Sequence, residues 1–124
     1  MLESSDLVAF VAATDLDRAR VFYEQTLGLL VLEHNDFAVV LDANGTMLRV
    51  TAVEQVAHAG YTVLGWRVPD IAASVQALAT KGVTFLIYEG MSQDDDGIWT
   101  TPSGDKVAWF ADPDGNTLSV TQGG

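Results

Sequence analysis

The sequence predicts an α+β fold made of two copies of one β-α-β-β-β module, and three observations carry that prediction. DPDGNTLSVT, Asp112 to Thr121, echoes DANGTMLRVT, Asp42 to Thr51, with Asp, Gly, Leu, Val and Thr recurring at matched places 70 positions apart. Upstream, Val8 to Asp15 and Val63 to Asp70 share a layout 55 positions apart, an apolar run closed by an Asp that opens a helix-like pattern. Self-similarity at such offsets marks repeated supersecondary units. Finally, 124 residues with 48% apolar and 19% charged side chains suit one globular domain with a real core.

The elements follow in order. Leu7 to Ala13 is apolar and reads as a buried strand. Thr14-Asp15 supplies an N-cap and Asp17 adds negative charge in the first turn. Leu16, Ala19, Phe22, Tyr23 and Leu27 recur at helical spacing, which predicts an amphipathic helix over 15–26 stopped by Gly28. Strands are predicted at Leu29 to Glu33, Phe37 to Leu41 and Met47 to Val53, with Asn35-Asp36 and Asn44-Gly45 as turns. Module one thus spans about 6–53, and 54–60 is the linker.

Module two, about 61–122, repeats the order. Tyr61 to Val68 is a predicted strand, and Pro69-Asp70 starts a helix with Ile71, Val75 and Leu78 on one face. Lys81-Gly82 ends it, Val83 to Tyr88 is a strand, and Val107 to Ala111 and Thr117 to Thr121 form a closing hairpin around Asp112 to Asn116. Glu89 to Asp105 is a long irregular insertion with at most a short strand at Ile98 to Thr100; its length predicts a functional or mobile loop. Within it, Asp94-Asp95-Asp96 reads as a solvated loop tip, because a calcium loop alternates its ligands.

Composition excludes several function classes. There is no cysteine, so no disulfide and no thiolate metal site. A net charge of −11 repels phosphate backbones and argues against nucleic acid, while favouring cationic ligands or simply solubility. The N-terminus has no basic region followed by an apolar stretch, and nothing reaches the length of a membrane span, so a cytoplasmic location without membrane contact is expected.

Paired modules carrying Asp15-Leu-Asp-Arg-Ala-Arg-Val-Phe-Tyr23, Leu27-Gly28-Leu29 and Asp112-Pro-Asp-Gly-Asn116 resemble the vicinal oxygen chelate superfamily, which holds glyoxalase I, extradiol dioxygenases, fosfomycin-resistance enzymes and bleomycin-resistance proteins. The resemblance covers nearly the whole chain and is specific for the superfamily, not for one activity. It implies that the eight strands form an incomplete barrel around a cavity with the helices outside. It also implies four metal-ligand positions, which carry over onto Val8, Arg49, Val63 and Ser119. Valine offers no lone pair, and arginine is donor-only and positively charged. The expectation is therefore no metal and no cofactor. His34 and His58 fall outside those positions and are expected to be structural or solvent-facing.

Strand alternation places Phe10 and Ala12 with Val8, Met47 and Thr51 with Arg49, Tyr61, Gly65 and Arg67 with Val63, and Thr117 and Thr121 with Ser119. Candidate ligand-binding residues are thus Arg49, Ser119, Phe10, Tyr61, Arg67, Met47, Trp99 and Trp109; alternation leaves open whether Trp109 or Phe110 faces inward. Arg49 reads either as an anchor for a ligand oxygen or as half of an ion pair with one of the chain's many acids. The aromatics read either as stacking surfaces or as core. No nucleophile–base arrangement and no Gly-rich phosphate loop is present, so no catalytic residue is assigned.

Three functions fit these features. The first is a metal-free small-molecule-binding protein of the bleomycin-resistance type, sequestering or carrying its ligand, as a homodimer with sites at or near the subunit interface. The second is a lyase, isomerase or dioxygenase-like enzyme with an unorthodox site. The third is an interaction module whose site has degenerated. A fold by itself does not choose among them.

Overall fold

Asp15 and Asp70 start the two helices in the same way. Both are extended, with φ near −140°, and each accepts from the backbone N–H three residues on, Arg18 at 3.0 Å and Ala73 at 3.1 Å. That is the N-cap geometry expected of an Asp ahead of an apolar-periodic stretch. The computed structural model describes residues 1–124, which divide into two compact units, Met1–Ala57 and His58–Gly124. No helix is long and apolar enough to cross a membrane.

In the first unit, β1 (Val8–Ala13) leads to α1 (Leu16–Arg20), then β2 (Leu30–His34), β3 (Ala38–Ala43) and β4 (Thr46–Ala52) form the rest of a sheet ordered β1-β4-β3-β2. β1 runs parallel to β4, and β3 is antiparallel to both β2 and β4. The β3–β4 turn places Asn44 and Gly45 at φ of 51° and 92°, the left-handed pair that a tight hairpin requires. Val11, Ala13, Val39, Leu41, Leu48 and Val50 fill one face of the sheet and are buried with Ala19 and Tyr23 of the helical segment. Burying a Leu or Val side chain contributes about 1.5–3 kcal/mol each, so this face holds the unit together.

The helical segment differs from the expected uninterrupted α-helix. α1 ends at Arg20 and continues as a π-helical stretch, Val21–Thr26, closed by Leu27 N–H donating to the Phe22 carbonyl. Apolar spacing of three and four is met by both geometries, so periodicity did not separate them. Tyr23 is fully buried within it and meets the Phe22 ring edge-on at 5.1 Å.

In the second unit, β5 (Leu64–Arg67) and α2 (Ile71–Thr80) precede β6 (Trp99–Thr100), β7 (Lys106–Ala111) and β8 (Thr117–Gln122), in a sheet ordered β5-β8-β7-β6. Ile71, Val75, Ile98, Ala108, Phe110, Leu118 and Val120 are buried. Gln122 accepts from the Ile71 N–H at 2.8 Å, which joins the end of β8 to the start of α2.

The registers of the two sheets repeat the sequence. In the first unit Phe10 pairs with Arg49 and Ala9 with Leu48; in the second Gly65 pairs with Ser119 and Leu64 with Leu118. These partners stand at the offsets of 55 and 70 read from the sequence, so Val8 and Val63 hold equivalent places. The α+β architecture of two β-α-β-β-β modules is thereby established.

Two expectations for the second unit are corrected. The Tyr61–Val68 strand is shorter, Leu64–Arg67, so Tyr61 precedes the strand and alternation does not assign its face. Val83 to Tyr88 is not a strand: it keeps one isolated bridge, Phe85 to Phe110. The reason is Gln93, whose amide takes the backbone groups a strand would have used. Its Oε1 accepts from Tyr88 N–H at 2.7 Å and its Nε2 donates to the carbonyls of Leu86 and Gly97. The fourth strand of the sheet is Trp99–Thr100, which agrees with the short strand expected at Ile98 to Thr100 within the otherwise irregular 89–105 stretch.

That stretch is also more organised than its composition suggests. Asp94 Oδ1 accepts from the N–H groups of Asp96 and Ile98, both at 2.9 Å, and Asp94 N–H donates to the Ile98 carbonyl. Asp94 therefore shapes a turn, while Asp95 and Asp96 stay exposed. The Asp112 to Asn116 turn uses the same device in buried form. Asp112 Oδ1 accepts from Asp114 and Asn116 N–H, and Oδ2 from Asn116 Nδ2 at 2.8 Å.

Candidate functional site

Each sheet has one face under its helix and one open face, and the candidate residues divide between the two open faces. In the first unit, the strand pairing sets Phe10, Met47 and Arg49 together with Val8 on the face opposite the buried Leu48 and Val50. Phe10, on the edge strand β1, is 62% exposed and Met47, on β4, is 42% exposed, whereas Val40 on β3 is buried.

Arg49 lies at the centre of that face, beside Phe10 on β1 and Val40 on β3, and it is half-buried. No carboxylate pairs with it. Ion pairs of this unit join the Met1 ammonium to Glu3, Arg20 to Glu24 and His34 to Asp17. Of the two readings that the sequence left open for Arg49, the structural ion pair is absent. Five N–H donors on a fixed planar fork are thus presented at one point of an apolar surface.

Both histidines serve local structure. His34 Nδ1 lies 3.1 Å from Arg20 Nη1, so it accepts, and its Nε2–H faces Asp17 at 3.5 Å. His58 Nε2 lies 3.0 Å from the Asp114 carbonyl and its ring covers Gly115, where a Cβ would come within 2.7 Å of it.

In the second unit, β8 holds Ser119 between Gly65 on β5 and Trp109 on β7. Ser119 is 6% exposed. Gly65 is required there, because a Cβ would sit 2.9 Å from Ser119 Oγ. Trp109 pairs with Ser119 while Phe110 pairs with the buried Leu118, so Trp109 takes the open face and Phe110 the core. Trp99 lies nearly parallel to Trp109, with ring centroids 6.1 Å apart and planes 28° from each other. Tyr88 meets Trp109 edge-on at 5.5 Å. The three rings make a half-exposed aromatic wall beside Ser119.

Tyr88 was missed by sequence reasoning, which assigned it to a strand. The signal lay in Gln93, whose bond to the Tyr88 N–H sets that residue's backbone. Arg67 and Tyr61 are not part of the wall. Arg67 ends β5 and lines a shallow depression of about 410 Å³ with Val68, Pro69 and Gln122, and Tyr61 is 70% exposed ahead of β5.

The four positions that relatives use for a metal do not fit one here. Val8 and Val63 present alkyl groups, and Val63 spends its N–H on the Thr117 carbonyl. Arg49 would repel a cation, and Ser119 is a single neutral hydroxyl. Divalent metals need imidazole, carboxylate or thiolate donors, so this donor set cannot form a centre.

Comparison with known proteins agrees with the architecture. The sequence profile of the Glyoxalase/Bleomycin resistance protein/Dioxygenase superfamily matches residues 6–120. Among solved structures, TnmS3, an antibiotic binding protein from Streptomyces sp. CB03234, is 24% identical, with 100% of this chain and 99% of that one covered and a TM-score of 0.73. A glyoxalase family protein from Enterococcus faecalis is 22% identical over 98% and 99% of the two chains, also at 0.73. Lactoylglutathione lyase from Agrobacterium tumefaciens is 18% identical over 97% and 94%, again at 0.73. No curated protein matches the sequence. At these identities the solved structures bear on the fold alone.

Proposed function

We propose that this chain, which belongs to the Glyoxalase/Bleomycin resistance protein/Dioxygenase superfamily, is a metal-independent small-molecule-binding protein that sequesters or carries its ligand. The observation that carries this reading is Arg49. A half-buried guanidinium with no carboxylate partner stands at a position where metal-using relatives hold a ligand to the ion. A fixed cation there orients a carboxylate, phosphate or carbonyl oxygen without a metal. Phe10 and Met47 give that face an apolar surround, and the Trp109, Trp99 and Tyr88 wall of the second unit suits a flat ring. An apolar surface with a few placed polar groups is the usual make-up of a ligand site. The antibiotic-binding neighbour is compatible with this reading.

The working form is a homodimer. Leu7, Val8, Phe10 and Met47 are exposed large apolar side chains that a second copy of the chain would cover. Sedimentation of the purified chain as a monomer at micromolar concentration would exclude this part of the reading.

The test uses 8-anilinonaphthalene-1-sulfonate, which joins a flat aromatic body to a sulfonate. Native protein freed of metal with EDTA binds it saturably, and adding zinc, iron or manganese leaves the affinity unchanged. Binding that needs one of these ions refutes metal independence. No saturable binding by this probe, or by any member of a thermal-shift panel of aromatic acids, refutes the ligand-binding role.

A further inference from the structure

The second unit also carries a groove on its helix side, away from the open face and outside the proposed function. Three walls build it. α2 contributes Val75 and Ala79, one helical turn apart on one face. Phe85 and Ile87 alternate onto the opposite wall, although their segment is not a strand. The turn after Gln93 brings Asp95 and Asp96 to the rim.

The groove is held in place. Phe85 packs on the buried Phe110 at 5.5 Å, which ties that wall to the core. Gln93 links the Leu86 and Gly97 carbonyls, and Asp94 closes its turn with two N–H bonds. Gly97, at φ 85°, approaches so closely that a Cβ would lie 3.1 Å from Phe85 Cβ. Of the three consecutive acids, Asp94 is thus used by the turn, and Asp96 has only a long 3.4 Å contact from Gln76 Nε2. Asp95 has no partner and Ile87 is 65% exposed. An apolar trough of about 270 Å³ therefore ends in two carboxylates on a protein of net charge −11. That volume lies just under the roughly 300 Å³ at which drug-sized pockets begin, so its occupant is small.

We propose that this groove binds a small amphiphilic cation, an ammonium on an apolar body, with the body on Val75, Ala79, Phe85 and Ile87 and the charge at Asp95 and Asp96. The apolar walls select burial of the body. The carboxylates, with no cation of their own beside them, select the sign of the head group, and the surrounding negative field raises its local concentration.

The experiment titrates n-octylammonium into the full chain and follows backbone amide resonances, with octanoate and octanol as controls. The expected result is saturable shifts at Val75, Ala79, Gly97 and the Asp95–Asp96 amides for the ammonium, weaker binding for octanol and none for octanoate. Asp95→Asn with Asp96→Asn weakens binding about fivefold and reduces its dependence on salt, the size expected when exposed charge pairs are lost. Ala79→Trp, an exposed helix position, fills the trough and abolishes binding while the remaining amide spectrum confirms the fold. Arg49→Met leaves octylammonium binding unchanged, which separates this groove from the site of the proposed function. Octanoate binding as tightly as octylammonium, shifts confined to other residues, or equal affinity in the charge and Ala79 variants would each overturn the proposal.

Discussion

Replacing Arg49 by Met is the sharpest perturbation of the open face. Methionine keeps an unbranched chain of similar length beside Phe10 and Val40 and removes only the charged fork. The stability effect follows from the partners: Arg49 makes no ion pair, so no carboxylate is stranded by the change. A half-buried substitution of this kind stays within about 0.5 kcal/mol, or under about 3 °C in melting temperature for a chain of this size. The binding effect follows from the lost interaction. A hydrogen bond to a charged group contributes about 1.5–3 kcal/mol, so affinity for the naphthalene sulfonate falls by roughly tenfold to a hundredfold. The assay is a fluorescence titration on native and variant protein at one salt concentration, paired with a melting curve for each. Unchanged affinity at an unchanged melting temperature refutes the anchor role. A fall of more than about 6 °C with unchanged affinity shows instead that Arg49 supports the fold.

Gly65→Ala pushes a methyl to 2.9 Å from Ser119 Oγ and costs about 1–2 kcal/mol in urea denaturation; adding Ser119→Ala recovers most of it, and a strictly additive double mutant would refute the contact as the cause. Asp112→Ala leaves the Asp114 and Asn116 N–H groups and the Asn116 amide without their acceptor, and the expected loss is about 3 kcal/mol by the same measurement. Gln93→Ala frees the Tyr88 N–H and the Leu86 and Gly97 carbonyls, so hydrogen exchange at Tyr88 rises by roughly tenfold while β7 and β8 amides keep their protection.

Much of the fold was legible in the sequence because the signals are local or repeated. Asp15 and Asp70 cap helices through atoms three residues away, and Asn44-Gly45 forms a turn from its own left-handed backbone. The two offsets relate Phe10 to Gly65 and Arg49 to Ser119, and the structure pairs Phe10 with Arg49 and Gly65 with Ser119 accordingly. Strand alternation put Arg49 and Ser119 on one face, and their strand neighbours Leu48, Val50, Leu118 and Val120 on the other face are buried, since side chains on a strand must alternate. The same alternation identified Arg49 as a residue of the open face before any neighbour was known.

What the tertiary structure alone decided rests on contacts between residues distant in sequence or on choices with equal local cost. The apolar run Val83 to Tyr88 has good strand chemistry, yet Gln93 takes its Tyr88 N–H and Leu86 carbonyl, and the run does not join the sheet as a strand. Trp109 and Phe110 are adjacent aromatics of similar β preference, and only pairing with Ser119 and Leu118 settles which is buried. Whether Arg49 meets a carboxylate depends on where the chain's 17 acidic residues end up in space, which no spacing along the chain encodes. Local sequence sets the backbone preferences and the side-chain alternation; the partners of a charge, and the walls of a groove, exist only once the chain has folded back on itself.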